Sequence, residues 1–197
     1  MNRLFAMALL ALATLVAAQE PPKDAPKQAP KPWIKIVKAG NGYLVGGYID
    51  NVLYGFEIPG TEIKSVGKGE QPLVVVDGVF LQFQVVAKSL FGALDADSLE
   101  AFRKYEQKYQ AENFKGVTFS SHDFCQNAKV RHRDWVSEMP PNPNAPPDAV
   151  RTPYQVYVTF EVGDSVLMVG SAYGNEEQKR ATARKIDAIC RTFVRER

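Results

Sequence analysis

The sequence predicts an α+β fold, a single domain in which helices pack on a mainly antiparallel sheet. Three observations lead to this prediction. The chain has 197 residues, 45% of them hydrophobic, which is enough for one core of ordinary size. Short runs with apolar residues at alternate positions are joined by turn residues, as in hairpins. Two longer stretches repeat apolar residues every three or four positions, as helices do.

The predicted strands come before, between and after the two helical stretches. They cover residues 43–48, 52–58, 73–76, 79–87, 117–126, 129–136, 154–162 and 165–173. Turn residues separate three pairs of neighbouring strands: Asp50-Asn51, Asp77-Gly78 and Gly163-Asp164. Because strands joined by short turns run antiparallel, the sheet is expected to be built from hairpins. Five prolines between 140 and 147 predict an irregular loop.

The first helix is predicted from residue 98 to residue 113. Leu99, Phe102, Tyr105 and Tyr109 recur at helical spacing and form one stripe, which we expect to face the core. Asp97 with a glutamate three residues later has the spacing of a capping box.

The second helix is predicted to begin after Asn175, with Gln178 at capping-box spacing. At 100° per residue, one arc of this helix is apolar and the opposite arc is basic. The apolar arc holds Ile186, Ile189, Cys190 and Phe193, and the basic arc holds Arg180, Arg184, Arg191 and Arg195. The basic arc is either a solvated surface or a docking site for an anionic partner, an acidic protein patch or membrane head groups.

The N-terminus has the three parts of a secretory signal peptide over residues 1–18. Arg3 precedes an uncharged apolar run from 4 to 16, and Val16-Ala17-Ala18 supplies the small residues that signal peptidase recognises. The apolar run is shorter than the roughly 20 residues of a membrane-spanning helix. We expect an exported protein, periplasmic or extracellular, with no transmembrane segment after cleavage. An uncleaved N-terminal anchor is the alternative.

Residues 19–32 are predicted to form a Pro/Lys-rich linker before a globular domain at 33–197. Five prolines lie between residues 21 and 32, and such a run favours extended polyproline conformation over packing. It is interpreted as a solvated spacer, a stalk or a basic recognition segment.

The charge balance argues against nucleic acid as a partner. The chain has 24 Lys and Arg against 22 Asp and Glu, so its formal net charge is +2 and it has no global basic field. Only two histidines and two cysteines are available for metal binding or catalysis.

Several short motifs resemble a known family of domains. They are Tyr54-Gly55-Phe56-Glu57-Ile58-Pro59, Leu99 with Phe102, Val169-Gly170-Ser171-Ala172-Tyr173, and Ile186, Ile189 and Phe193. Over residues 42–193 the chain is similar to the extrinsic subunit P of photosystem II, the PsbP-like superfamily. The resemblance implies an α/β/α sandwich around an antiparallel sheet and an accessory, chaperone-like or docking role without catalysis.

The residues best suited to chemistry are His122, Asp123, Cys125 and His132. A thiolate and two imidazoles could hold zinc, and a Cys–His pair could act as a nucleophile. Both hypotheses need a free Cys125, whereas an oxidising compartment favours pairing the two cysteines. We therefore predict a Cys125–Cys190 disulfide, no metal and no cofactor. The favoured function is an exported, non-catalytic binding or accessory protein. The alternative is a small exported hydrolase or zinc-dependent enzyme that uses the four residues named first.

Overall fold

A computed structural model of the chain describes residues 34–65, 72–92, 97–126, 128–141 and 151–196. The predicted signal peptide and linker lie outside these ranges, as does most of the proline-rich loop. No helix within the described ranges is long and apolar enough to cross a membrane.

The described residues form eleven strands and two α-helices. The strands are β1 Lys35–Ala39, β2 Gly42–Ile49, β3 Val52–Pro59, β4 Ile63–Ser65, β5 Leu73–Val76, β6 Val79–Ala87, β7 Thr118–Ser120, β8 His132–Glu138, β9 Tyr154–Val162, β10 Ser165–Tyr173 and β11 Val194–Arg195. The helices are α1 Ser98–Asn113 and α2 Glu176–Thr192. A short 3-10 turn, Lys88–Leu90, follows β6.

The strands pair into two antiparallel sheets, so the α+β prediction is confirmed and the structure adds a second sheet. A four-stranded sheet has the order β1-β2-β3-β11, and a seven-stranded sheet has the order β4-β5-β6-β10-β9-β8-β7. Strands β2 and β3 pair along their whole length, and Ile49 and Val52 are the pair next to the turn. Asp50 and Asn51 have φ values of 50° and 63°, as a tight primed hairpin turn requires.

The seven-stranded sheet forms the central layer and has a different cover on each side. On one side α1 packs through Leu99 and Phe102 on Trp135, Val166 and Met168. On the other side, the four-stranded sheet and α2 bury a larger apolar core that alternate residues of β9 and β10 also line. Helices on both sides of an antiparallel sheet match the predicted layering.

Phe193 closes the larger core directly after the end of α2. Its ring stacks on Phe160 of β9 with centroids 4.1 Å apart, and the rings of Tyr54 and Phe56 lie at 6.4 and 6.2 Å. This one side chain therefore joins α2, the four-stranded sheet and the seven-stranded sheet.

Both predicted helix caps are confirmed. Asp97 Oδ1 accepts a hydrogen bond from the Glu100 amide at 3.1 Å, and Asn175 Oδ1 accepts one from the Gln178 amide at 2.9 Å. The predicted stripe of α1 is only partly correct, because Tyr105 and Tyr109 are half-exposed while Gln110 is buried.

The strand predicted at 117–126 is wrong for most of its length, since β7 ends at residue 120. Beyond β7, the Phe124 amide donates to a side chain and not to a neighbouring strand: its acceptor is Asp134 Oδ2 at 2.8 Å. The strand predicted at 129–136 begins and ends later, as β8. Three short strands, β1, β4 and β11, carry no clear alternating pattern and were not predicted.

Candidate functional site

The two cysteines lie where the larger core meets the segment after β7. The Sγ atoms of Cys125 and Cys190 are 1.97 Å apart and the Cα atoms 5.5 Å apart, which agrees with the predicted disulfide. Cys190 belongs to the buried face of α2, as predicted, whereas Cys125 lies in irregular backbone and does not end a strand. A sulfur in a disulfide is neither a nucleophilic thiolate nor a zinc ligand.

The histidines predicted to act with Cys125 have other neighbours. The His122 ring stacks on Phe124 with centroids 4.4 Å apart. On β8, His132 Nδ1 lies 3.3 Å from the Val130 carbonyl oxygen. Across the described residues, no group of three or more His, Cys, Asp or Glu side chains is placed to hold a metal ion. The geometry therefore offers no support for the zinc or nucleophile hypothesis.

The predicted basic arc is present over most of α2. Arg180, Arg184 and Arg191 are exposed and lie opposite the helix face that is buried. Arg191 Nε lies 3.1 Å from Asp187 Oδ2, one turn earlier, so part of the positive charge is neutralised locally.

Arg195 does not share the surface of the other three arginines, so that part of the prediction is wrong. The helix ends at Thr192, and the chain then extends as β11 along β3. Arg195 pairs with the inward-facing Tyr54, and its guanidinium donates to the Glu161 carbonyl of β9. Phe193 causes the change of direction because its ring is buried in the core.

One side of the four-stranded sheet packs on the core. The other side is in solvent, and we call it the outer face. Side chains alternate along each strand, and the register therefore fixes which residues share this face. They are Lys35, Val37, Ala39, Gly42, Leu44, Gly46, Tyr48, Leu53, Gly55, Glu57, Pro59 and Val194.

Exposed apolar side chains are concentrated on the outer face. Five large hydrophobic residues of the described ranges are exposed, and four of them lie here: Val37, Leu44, Tyr48 and Val194. The fractional exposures of Val37, Leu44 and Val194 are 45%, 48% and 61%. The fifth, Leu90, is 63% exposed and lies in the 3-10 turn. Single exposed hydrophobics are common, but a group on one sheet surface is typical of an interaction site.

The centre of the outer face is almost bare backbone. Gly46 and Gly55 are directly opposite each other on β2 and β3. A Cβ at Gly46 would lie 2.7 Å from the Tyr54 carbonyl oxygen, so a larger residue does not fit without a shift of the strand. Along β2, Gly46 therefore places no side chain between Leu44 and Tyr48 on the outer face.

Helix α2 borders the outer face because it is fixed to the β3 edge that β2 does not occupy. The Glu57 amide donates to Thr192 Oγ1 at 2.8 Å, and Lys185 Nζ donates to the Pro59 carbonyl. Arg184 and Arg191 lie opposite the buried side of α2, so they are exposed on the helix that borders the outer face.

Lys185 is nearly buried and is part of a contact network that the sequence did not reveal. Its Nζ lies 2.9 Å from Asp77 Oδ2, and Asp77 Oδ1 accepts hydrogen bonds from the amides of Thr61 and Glu62, each at 3.0 Å. The Lys185 hydrogen bond is the main cause that holds the pKa of Asp77 well below its usual range. This network anchors α2 to the turn between β5 and β6.

The sequence also did not predict a second polar cluster, which lies between α1 and the seven-stranded sheet. Ser137 Oγ donates to Gln110 Oε1 at 2.6 Å, and Gln110 Nε2 donates to the Tyr157 hydroxyl at 3.1 Å, which in turn donates to Gln155. The Trp135 ring stacks on Tyr157 with centroids 5.1 Å apart, and its buried Nε1 has no hydrogen-bond partner among the residues that the structure describes.

Glu106 lies on α1 between Phe102 and Gln110, one helical turn from each. Burial raises the pKa of its carboxyl group from 4.5 to about 7. Burial also raises the pKa of Tyr157, and the charge of Glu106 adds to that effect. The spacing of four residues from Phe102 was the only sequence signal that could have placed Glu106 on the sheet-facing side.

Neither a family model, nor a curated protein, nor a solved structure matches this chain.

Proposed function

We propose that this protein is an exported, non-catalytic accessory protein that binds a partner protein through the outer face. The observation that carries the proposal is the concentration of exposed Val37, Leu44 and Val194 on one sheet surface. Burying such side chains on association is favourable by about 25 cal/mol per Å² of apolar surface. A partner is the simplest reason to keep them in solvent.

The charges of the outer face favour a protein partner over a lipid surface. Lys35 lies near its β1 edge, while Glu57 lies directly beside Leu44, on the neighbouring strand. An anionic bilayer would attract Lys35 and the arginines of α2 but repel Glu57 and Asp187. A protein surface with an apolar centre and charges of both signs can match all of them.

Export is supported by the signal-like N-terminus and by the pairing of the only two cysteines. The expected mature N-terminus is Gln19, and the intact mass of the protein from an exported fraction tests it. A mass that retains residues 1–18 would indicate an anchored protein instead.

The PsbP-like resemblance is kept as part of the proposal. Its support is the layered α+β architecture and the core position of Tyr54, Phe56 and Phe193, three residues of the motifs that suggested it. An accessory role without catalysis is what this resemblance implies.

Site-specific photo-crosslinking tests the proposed function. A photoreactive residue at Ala39, exposed at the β1 edge of the outer face, is compared with one at Leu90 in the envelope fraction of the producing cell. Ala39 should give an adduct that excess unlabelled wild-type protein removes. Excess Leu44→Lys/Val194→Lys protein should not remove it, and Leu90 should give no such adduct.

Equal adducts from both positions, or equal competition by wild-type and variant protein, would contradict a role for the outer face. The arginines of α2 are tested in the same assay with Arg184→Glu/Arg191→Glu. We expect this variant to compete about tenfold less well at low salt, and equally well once salt screens the charges.

A further inference from the structure

We infer that the edge of β1 that β2 does not occupy, here called the free edge, binds an extended segment of the partner protein that carries acidic and apolar residues. The segment adds a fifth strand to the four-stranded sheet and so continues the outer face. The inference rests on the proposed function and names the part of the partner that is recognised. In strand addition to an open sheet edge, main-chain hydrogen bonds supply affinity and side chains supply specificity.

The strand β1 is the longest of the four edge strands among the described residues. It has five residues, whereas β4 and β7 at the two edges of the seven-stranded sheet have three each and β11 has two. Short edge strands are one way in which proteins protect their sheets from further pairing. Four of the five residues of β1 are exposed. A further strand therefore finds its longest accessible edge at β1.

The register shows which backbone groups of β1 point away from β2. A two-residue turn joins the strands, so Ala39 and Gly42 on either side of it exchange two hydrogen bonds. Because such pairs alternate along an antiparallel ladder, the N–H and C=O groups of Ile36 and Lys38 point to the free edge. Within the described part of the chain, none of these groups has another hydrogen-bond partner. They offer two donors and two acceptors to an added strand.

The larger core is incompletely covered at this edge. Ile36 and Ile34, which directly precedes β1, pack on the core from the inner side of the sheet, and both remain partly exposed. Every second side chain of a strand beside β1 would lie next to this pair. Apolar residues at those positions would bury the remaining surface of both isoleucines, which favours association.

The charges of β1 favour an acidic segment. Lys35 is exposed on the outer face, and Lys38 lies on the inner side, where its Nζ donates to the Gly60 carbonyl at 3.2 Å. β1 contains no acidic residue, and neither lysine forms an ion pair with a described carboxylate. A carboxylate on either side of an added strand would meet one of them, and opposite charges on neighbouring strands attract. A second copy of β1 would instead bring four lysines and no carboxylate to the same edge.

An NMR titration of the purified mature protein with a synthetic peptide tests the inference. The probe is a peptide of about eight residues, within the usual length of a strand, that alternates glutamate and valine and has both ends blocked. We expect the amide signals of Ile36 and Lys38 to shift and their hydrogen exchange to slow, with a dissociation constant on the order of 1 mM. The same peptide with a methylated backbone, or with lysine in place of glutamate, should cause neither change.

Two pairs of variants separate the edge from the rest of the surface. Lys35→Glu should weaken peptide binding several-fold, whereas Lys115→Glu, at an exposed lysine after α1, should leave it unchanged. Ile36→Pro removes an N–H that β2 does not use and should abolish binding. Ser65→Pro does the same at the β4 edge and should have no effect on it. Thermal unfolding shows whether each variant is folded, and Lys35→Glu decides if Ile36→Pro is not.

Three results would overturn the inference. One is slow exchange of the Ile36 and Lys38 amides before peptide is added, since the chain would then cover its own edge. The others are unchanged amide signals with the peptide, and equal losses of binding in a variant and its control. The Ala39 photo-crosslink separates these failures from failure of the proposed function. An Ala39 adduct that persists in Ile36→Pro keeps the outer face as a docking surface without strand addition, whereas a wild-type protein without the adduct contradicts the proposed function itself.

Discussion

The two covers of the seven-stranded sheet are held in different ways. The cover made of α2 and the four-stranded sheet packs through a continuous apolar core, a cysteine pair and the Lys185–Asp77 contact. The α1 cover packs through fewer apolar residues and includes the polar cluster of Gln110, Ser137 and Tyr157. The cover made of α2 and the four-stranded sheet is therefore the more firmly attached one, and it also carries the exposed apolar residues of the outer face. A docking surface benefits from such a rigid support.

The largest expected effect comes from breaking the cysteine pair of the firmly attached cover. The bond closes a loop with a sequence separation of 65, for which the chain-entropy model gives about 4 kcal/mol of stabilisation. Reductant should therefore lower the free energy of unfolding, measured with denaturant, by up to that amount. In Cys125→Ala/Cys190→Ala the reductant should have no further effect. Two thiols that titrate before reduction, with an unchanged melting temperature, would show that the bond is absent.

Removing the charge of Asp77 tests the second attachment of the same cover. Asp77→Asn leaves the Lys185 ammonium nearly buried without its counter-ion and should destabilise the protein by about 2 to 3 kcal/mol. Asparagine tolerates the positive φ of 49° at this position, so backbone strain does not explain a loss. Lys185→Met in the Asp77→Asn background should recover part of the stability. A change of less than about 0.5 kcal/mol in Asp77→Asn would place this contact among ordinary surface pairs.

We expect the free energy of unfolding to fall as the pH rises, because Glu106 on α1 ionises less readily in the folded protein. Below its unfolded pKa of 4.5 the carboxyl group is neutral in both states, and it contributes no pH dependence there. Between 4.5 and about 7 the unfolded chain loses the proton first, so stability falls as pH rises, and the loss is complete above pH 7. The carboxyl group keeps some contact with water, so we expect a loss of about 2 kcal/mol.

Glu106→Gln should remove this pH dependence. The variant is expected to be more stable than wild type near pH 8 and equally stable near pH 4.5, by denaturant unfolding at each pH. A Glu106→Gln protein that follows the wild-type pH profile would show that Glu106 is not buried as described.

The smallest effect is expected from the hydrogen bonds of the polar cluster. Gln110→Leu leaves the Ser137 hydroxyl without its acceptor in a fully buried position, which costs about 1 kcal/mol. Adding Ser137→Ala to this variant should restore part of the loss, because both polar partners are then removed. Equal loss in the single and double variants would contradict the pairing of Gln110 and Ser137.

Local patterns in the sequence were sufficient for the elements but not for their assembly. Asp97 and Asn175 mark the helix starts and Asp50-Asn51 marks a hairpin, because each acts through bonds to its near neighbours. The second sheet is built from the consecutive strands β1, β2 and β3, but its edge strand β11 joins β3 from the far end of the chain, and no local pattern encodes that pairing.

The candidate surface was predicted only in part, again because local patterns do not encode how the elements assemble. The exposed arginines of α2 follow from helical periodicity, but Arg195 was misplaced because Phe193 redirects the chain into the core. The outer face was missed because Val37 and Leu44 resemble core residues in the sequence. The strand register places both on the side of the sheet away from the core, where both are exposed.

Hydroxyl-radical footprinting tests most directly whether association uses the outer face of the firmly attached cover. It measures the accessibility of individual side chains in the purified wild-type protein, alone and in complex with the partner that the Ala39 crosslink captures. We expect oxidation of Val37 and Leu44 to fall several-fold in the complex, while Leu90 and Tyr105 keep the values of the free protein. Unchanged oxidation of Leu44, or equal protection of Leu90, would contradict a docking surface on the outer face.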